Sequence, residues 1–296
     1  MKVRIGFGLG TRGPGIDRAF GGIVDDLERL GFDSLWLSER ATGTAPDPLV
    51  GLAYAAGRTE RLKLGTSVQV LPGRNPVLLA KAWASLDRLS RGRALPAFGL
   101  GVADPDEQQA FGVARDERAA WLDEALPLLR RLWTEDSVDH AGRRFSFRGL
   151  RMEPKPVERL DVWLGGRADA ELRRVGRLAD GWLASFSTPA DVARGRRIVE
   201  ETAAGCGREI DPEHFGAVLV YTRGDVPEDL AHRVAERRPD VDPHQLLAAG
   251  IPALGERIEE MVAVGCSKFV VVPAAEPRSW TDELEALAAE VVPLQT

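Results

Sequence analysis

Cysteine is nearly absent from this chain. Its 296 residues include two, Cys206 and Cys266, far apart and with no CxxC or histidine spacing around them. That pattern excludes a disulfide framework and a cysteine-ligated metal, and both residues read as small packing groups. Histidine is scarce as well: His140, His214, His232 and His244 are the four, and none pairs with another at the end of an expected strand, so no metal centre is expected. No Gly-x-Ser-x-Gly elbow occurs, which removes the nucleophile of a serine hydrolase. Excess charge of one sign is lacking too. With a formal net charge of −6 and no basic run, neither nucleic acid nor an anionic membrane surface is an expected partner. No apolar run could span a bilayer and no apolar leader precedes the strand pattern that starts at Val3. The expectation is a cytoplasmic protein that acts on a small molecule.

What is present is a large apolar fraction, 44% of residues, arranged in two alternating periods. Short strand-like runs begin at Val3, Ser34, Leu62, Ala94, Val162, Trp182, Phe215 and Lys268. Longer amphipathic runs separate them, among them Ile16 to Leu30, Pro48 to Arg58, Pro76 to Ser90, Arg115 to Trp133, Ala170 to Leu178 and Pro189 to Ala204. Eight strands alternating with helices at this spacing predict an α/β fold with a parallel sheet, and the length fits a (β/α)8 TIM barrel over 1–296 as a single domain better than an open sheet. Two excursions interrupt the alternation after the fourth and seventh strands, 134–161, which reads as a hairpin, and 223–250, cut by Pro227, Pro239 and Pro243. Insertions that follow barrel strands gather at the catalytic rim, so both are candidate substrate covers; surface decoration is an equal alternative.

The segment richest in chemistry is Val162-Trp-Leu-Gly-Gly-Arg-Ala-Asp-Ala-Glu-Leu-Arg173, an apolar run that breaks on Gly165-Gly166 into a helical pattern. Two glycines let the backbone approach a ligand closely, and the free N–H groups of the first helical turn suit an anionic phosphate. An ordinary tight strand-to-helix turn is the alternative. The tryptophans at 36, 163 and 182 read as core fillers.

Several ordered motifs carry a resemblance: Gly31-Phe-Asp-Ser-Leu-Trp-Leu-Ser-Glu-Arg40, Leu64-Gly-Thr-Ser-Val68, Arg74-Asn-Pro-Val-Leu-Leu-Ala-Lys81, Trp163-Leu-Gly-Gly166 and Leu178-Ala-Asp-Gly-Trp182. Together the chain resembles the luciferase-like monooxygenase superfamily from Val3 to Trp182, and within it the branch of probable oxidoreductases that use the 5-deazaflavin coenzyme F420. The resemblance implies a barrel with a flavin or deazaflavin ring at the C-terminal ends of the strands. It places the cofactor phosphate on Gly165, Gly166, Arg167 and Ala168, where the family often has serine in place of Ala168 and the charge of Arg167 can compensate. It also implies a cis peptide at Ser67-Val68 supporting the ring, with Gly99 and Gly101 beside it.

Glu39 and Arg40 are expected to project into the mouth. In the F420-dependent sugar-phosphate dehydrogenases of the superfamily, a histidine at the position of Arg40 is implicated in catalysis; an arginine cannot shuttle a proton, but it can stabilise negative charge or orient a carbonyl or anionic substrate. Those enzymes also use a glutamate after the fourth strand, where this chain has Gly99-Leu-Gly-Val102 and the nearest acidic candidate is Glu107, beside Asp104 and Asp106. The expected activity is hydride transfer between F420 and an unidentified small organic substrate. An FMN-dependent monooxygenase and a non-catalytic flavin-binding barrel remain as alternatives. A homodimer is expected through helices bearing Leu52, Tyr54, Leu78, Leu79 and Trp83.

Overall fold

The computed structural model describes residues 1–11 and 16–296. Its first strands are β1 (Arg4–Gly8), β2 (Ser34–Leu37), β3 (Lys63–Thr66), β4 (Gln69–Val70), β5 (Ala94–Leu95) and β6 (Ala97–Gly99). A hairpin of β7 (Val138–Ala141) and β8 (Ser146–Leu150) follows, then β9 (Trp163–Gly165), β10 (Gly181–Ser185), β11 (Phe215–Thr222), β12 (Leu247–Ala249) and β13 (Lys268–Pro273). The helices between them are α1 (Ile16–Leu30), α2 (Pro48–Ala56), α3 (Pro76–Leu89), α4 (Pro105–Phe111), α5 (Arg118–Thr134), α6 (Asp169–Leu178), α7 (Pro189–Gly205), α8 (Glu228–Arg237), α9 (Ile251–Ala263) and α10 (Trp280–Val291). Several start on the same local signal: Asp47, Asn75, Asp104 and Thr188 cap the first turn with a side-chain oxygen, and a proline follows each at a position where a missing N–H costs nothing.

Outside the hairpin every strand pairing is parallel. From β1 the partners run through β2 to β3 in one direction, and through β13, β11, β10 and β9 to β6 in the other. β3 and β4 are one segment interrupted at residues 67 and 68, β5 and β6 one segment interrupted at Pro96, and these two segments pair with each other as β3 with β5 and β4 with β6. The sheet therefore curls round an interior.

That interior holds a cluster of its own, Trp36, Ala97, Trp163, Leu183, Val270 and Val272, with Val68, Leu95, Val218 and Val220 packed on it. A larger apolar layer separates the sheet from its helices. Two indoles fit inside because neighbouring strands lack side chains where the rings lie: a Cβ on Gly65 would sit 2.5 Å from Trp36 Cε3, and one on Gly181 would sit 2.6 Å from Trp163 Cε2. Trp36 Nε1 donates to Ser34 Oγ at 2.8 Å, so its one polar atom is satisfied. Trp182 points the other way, into the outer layer.

Here one of two equal readings of the first excursion is favoured, and one expectation is corrected. The hairpin of the first excursion lies along the outer flank of α5, where Arg131 donates to the Asp139 carbonyl, Phe145 N–H donates to Glu124 and the Trp121 and Phe145 rings meet edge to face, so it covers a helix and not the strand ends. Of the apolar residues expected on an interface, Leu52, Leu79 and Trp83 are buried in the core, whereas Tyr54 (48%) and Leu78 (70%) are exposed, together with Val50 (67%).

Gly65→Val is expected to destabilise the fold by about 1–3 kcal/mol, because Trp36 is fully enclosed and has nowhere to retreat. Urea unfolding checks this, and a variant as stable as the parent would mean that the indole does not depend on that space.

Candidate active site at the strand ends

The chain leaves β2 at Ser38, and three hydrogen bonds lace this point to the interruption between β3 and β4. Ser38 Oγ donates to the Ser67 carbonyl at 2.8 Å, Ser67 N–H to the Leu37 carbonyl at 2.9 Å, and Glu39 N–H to the Val68 carbonyl at 3.2 Å. The Ser67–Val68 peptide is cis, as the resemblance implies. Val68 is half-buried and lies against the ends of β6 and β9: a Cβ on Gly99 would stand 2.6 Å from Val68 Cγ2, and one on Gly165 3.3 Å from Cγ1. Missing side chains on both neighbours leave the valine as a small apolar platform at the C-terminal ends of the strands.

Glu39 does not project into the mouth. Its carboxylate, 4% exposed, pairs with Arg74 and accepts the Val70 N–H at 2.7 Å, so it clamps β4 just beyond the cis bond. Burial pushes its pKa above the usual carboxylate range, and the Arg74 charge and the Val70 N–H offset that only in part.

Arg40 is tied on one side and unsatisfied on the other. Nη2 donates to Asp104 Oδ2 at 2.9 Å, Nε lies 3.7 Å from Glu107 Oε1, and that buried Nε makes no hydrogen bond among the described residues. A buried donor without a hydrogen-bond acceptor is costly, and the nearby Glu107 carboxylate offsets that only through charge.

Glu107 sits on α4 at 2% exposure and accepts from Ala41 N–H (3.2 Å), Thr42 N–H (2.9 Å) and the Thr42 hydroxyl (2.6 Å). Burial alone would raise its pKa, but the Thr42 and Ala41 hydrogen bonds and the Arg40 charge outweigh it and hold the carboxyl below its ordinary value. With its oxygens engaged in this way, Glu107 is a positioning residue for segment 40–42; it is not a free acid or base.

At the end of β9, Gly166 adopts φ +132°, a conformation that favours glycine, and its carbonyl accepts Trp182 Nε1–H at 2.9 Å. The next two N–H groups, of Arg167 and Ala168, converge on a single oxygen, Glu171 Oε2, at 2.8 and 3.0 Å. The start of α6 is thus closed by a carboxylate of its own helix, with Glu171 reaching back to the N–H groups before the first turn. Arg167 is exposed and makes no ion pair among the described residues.

Segment 223–250 flanks the ends of β10 and β11. It is pinned at its base by the pairing of β12 with β11 and by Gly250 N–H donating to the Thr222 carbonyl at 3.0 Å. Val234, Leu246 and Leu247 give it a small core, and buried Arg238 ties it to the Phe186 carbonyl and to Asp191 at the start of α7. Arg74, Glu171 and Arg238 were not expected at this rim. A signal existed only for Glu171, three residues after the last non-helical position, the spacing at which a side chain reaches back to a helix start. No three of the described His, Cys, Asp or Glu residues are grouped to hold a metal, and no described helix is long and apolar enough to cross a membrane.

Residues 4–265 match the family model of the luciferase-like monooxygenases. An F420-dependent glucose-6-phosphate dehydrogenase of Intrasporangium calvum is 35% identical over 169 residues, which are 53% of this chain and 50% of that protein. The chain spans about half the length of the curated relatives it matches first. Among solved structures, the coenzyme F420-dependent tetrahydromethanopterin reductase of Methanopyrus kandleri aligns over 100% of both chains with a TM-score of 0.80 at 19% identity. The oxygenating constituent of 3,6-diketocamphane monooxygenase of Pseudomonas putida, in complex with FMN, aligns over 100% of this chain and 99% of its own with a TM-score of 0.77 at 18% identity. These two likenesses show a shared fold.

Glu107→Ala leaves the N–H groups of Ala41 and Thr42 without their acceptor and is expected to cost about 1–3 kcal/mol, with faster hydrogen exchange confined to 40–44. The sign of the pH dependence follows from the lowered pKa: the carboxylate's contribution is complete above its unfolded value and fades as pH falls through the folded one. Denaturant melts of both proteins across the acid range test this, since a gap that persists unchanged into acid would contradict it.

Proposed function

We propose that this chain, which belongs to the luciferase-like monooxygenase family, is an oxidoreductase that binds coenzyme F420 at the C-terminal ends of the strands of a (β/α)8 barrel and moves a hydride between it and a small organic substrate. The observation that carries this reading is the Val68 platform, bare of side chains at Gly99 and Gly165 and followed along the rim by the anion-holding N–H groups of Arg167 and Ala168. The residues present fit such a group. Ser67, Val68, Gly99 and Gly101 would hold the ring, and Gly165, Gly166, Arg167 and Ala168 the phosphate. The curated relatives named for F420 favour the deazaflavin.

When bound, the deazaflavin supplies the hydride donor or acceptor carbon. The chain supplies orientation, exclusion of water and local charge. Arg40, held by Asp104 and positioned through Glu107, would offer its guanidinium to an oxygen of the ring or the substrate. Glu39 holds β4, and with it the platform, from the far side. Segment 223–250 walls the substrate side.

A second reading is an FMN-dependent monooxygenase, favoured by the likeness to the FMN-bound oxygenating constituent. The same phosphate loop suits either cofactor, and a binding barrel without turnover is the third possibility. A homodimer through the exposed Val50, Tyr54 and Leu78 of α2 and α3 completes the proposal.

Side-by-side titration is expected to show F420 binding more tightly than FMN. Arg40→Ala is expected to lower turnover roughly a hundredfold, about 3 kcal/mol of transition-state stabilisation, with cofactor affinity little changed and the rate independent of oxygen. Turnover that requires FMN and oxygen would replace the F420 reading with the monooxygenase one. Light scattering should report twice the chain mass, and Leu78→Glu should shift it to the monomer; a parent protein that is already monomeric overturns the dimer.

A further inference from the structure

One oxygen occupies the place where a cofactor phosphate would accept hydrogen bonds. Glu171 Oε2 takes the N–H groups of both Arg167 and Ala168, at 2.8 and 3.0 Å. A carboxylate and a phosphate cannot share these donors: both are acceptors only, and at such separation their charges repel. We infer that Glu171 is a built-in competitor for the phosphate, and that it determines how strongly this chain favours phosphate-bearing forms of its ring ligand. The inference rests on the reading of this rim as a flavin or deazaflavin site.

Three features of this chain make displacement of the carboxylate workable. The orientation of the Arg167 N–H does not depend on Glu171 alone, because the carbonyl of the same Gly166–Arg167 peptide is fixed from the other side by Trp182 Nε1 at 2.9 Å. Glu171 is bound to nothing else that would anchor it: among the described residues its carboxylate has no ion pair, and its two hydrogen bonds are the ones a phosphate would take over. Arg167, exposed and without an ion pair among the described residues, stands next to the donors and can turn to a phosphate oxygen once it arrives. A phosphate that takes these donors must turn the carboxylate away, and Arg167 stands where it can replace it as a partner.

A purely structural Glu171, serving as a helix cap, makes the opposite prediction. Removing it would then weaken the first turn of α6 and with it any ligand held there.

The experiment compares ligands that differ by the phosphate alone: FMN against riboflavin, and the 5′-phosphate of the ribityl deazaflavin against the phosphate-free ribityl deazaflavin. Dissociation constants are measured for the parent protein, Glu171→Gln and Glu171→Ala, with inorganic phosphate as a fifth probe and thermal melting to confirm that each variant is folded. In the parent, the phosphate is expected to improve affinity by about threefold or less; in Glu171→Ala that gain is expected to rise by a further factor of roughly ten, with Glu171→Gln in between and the phosphate-free rings unchanged. If the gain from phosphate is the same in all three proteins, or falls in the variants, the competitor role is wrong while the ring site stands. If inorganic phosphate binds Glu171→Ala more tightly than the parent but no ring compound binds either, the competitor role stands and the flavin reading falls. If neither rings nor phosphate bind any of the three, both are overturned.

Discussion

Two indole rings fill most of the space that the curled sheet encloses, and the layout of the site above them follows from that. Trp36 enters from β2 and Trp163 from β9. Each needs a neighbouring strand without a side chain, Gly65 for the first and Gly181 and Gly216 for the second. Interiors are packed to crystal-like density, so large rings on some strands must be matched by small residues on others. Nearer the C-terminal ends the balance reverses: the residues there are Gly99 and Gly165, and one half-buried valine closes the floor between them. Space for a flat ligand would lie at the level where the protein has stopped filling its own interior.

The rim is held by two carboxylates that the surroundings treat in opposite ways. Glu39 has one backbone N–H and one arginine for compensation, and burial wins; Glu107 collects three hydrogen bonds and a nearby charge, and they win. Their work is the same despite the opposite signs. One fixes β4 beyond the cis bond, the other fixes the segment after β2, and Arg40 lies between the two anchored stretches. With both acids committed to the protein, the ionisable group left with spare hydrogen-bonding capacity here is an arginine, which orients and stabilises charge but does not exchange protons. Such a site suits a reaction whose proton and electron chemistry resides in a bound cofactor.

Much of this was legible in the sequence because it depended on local pattern. The parallel strands announce themselves as short apolar runs between amphipathic ones, and Gly165-Gly166 before a helical pattern marks the loop after β9. Side-chain partners across the fold were not legible. Glu39 reads as a strand-end acid aimed at a ligand until Arg74, thirty-five positions away, is seen to take it. For the hairpin after α5 the sequence left two equal readings, a rim cover or surface decoration, because only its contacts with Arg131, Glu124 and Trp121 of α5 tell them apart. Leu52, Leu79 and Trp83 look like surplus apolar surface when a helix is read alone, yet they are what binds α2 and α3 to the sheet. The faces of a helix can be separated by period; which face meets the core is settled by its neighbours.

The same distinction bears on substrate. The matching curated proteins cover about half of this chain, and the motifs that carry the resemblance end near Trp182, which takes in the ring platform and the phosphate loop. The wall of the mouth lies beyond that limit. Segment 223–250 has its own apolar cluster, is closed at its base by β12, and is locked to α7 through Arg238, so it is a fixed surface with a shape of its own. On the opposite side stands Arg40, where the sugar-phosphate dehydrogenases of the superfamily have a histidine, and Gly99-Leu-Gly replaces their glutamate after the fourth strand. The family likeness therefore speaks to the strand ends that carry Val68, Gly99 and Gly165, while the flanking surfaces, Arg40 with its Asp104 and Glu107 partners and segment 223–250 with its own core, are features of this chain.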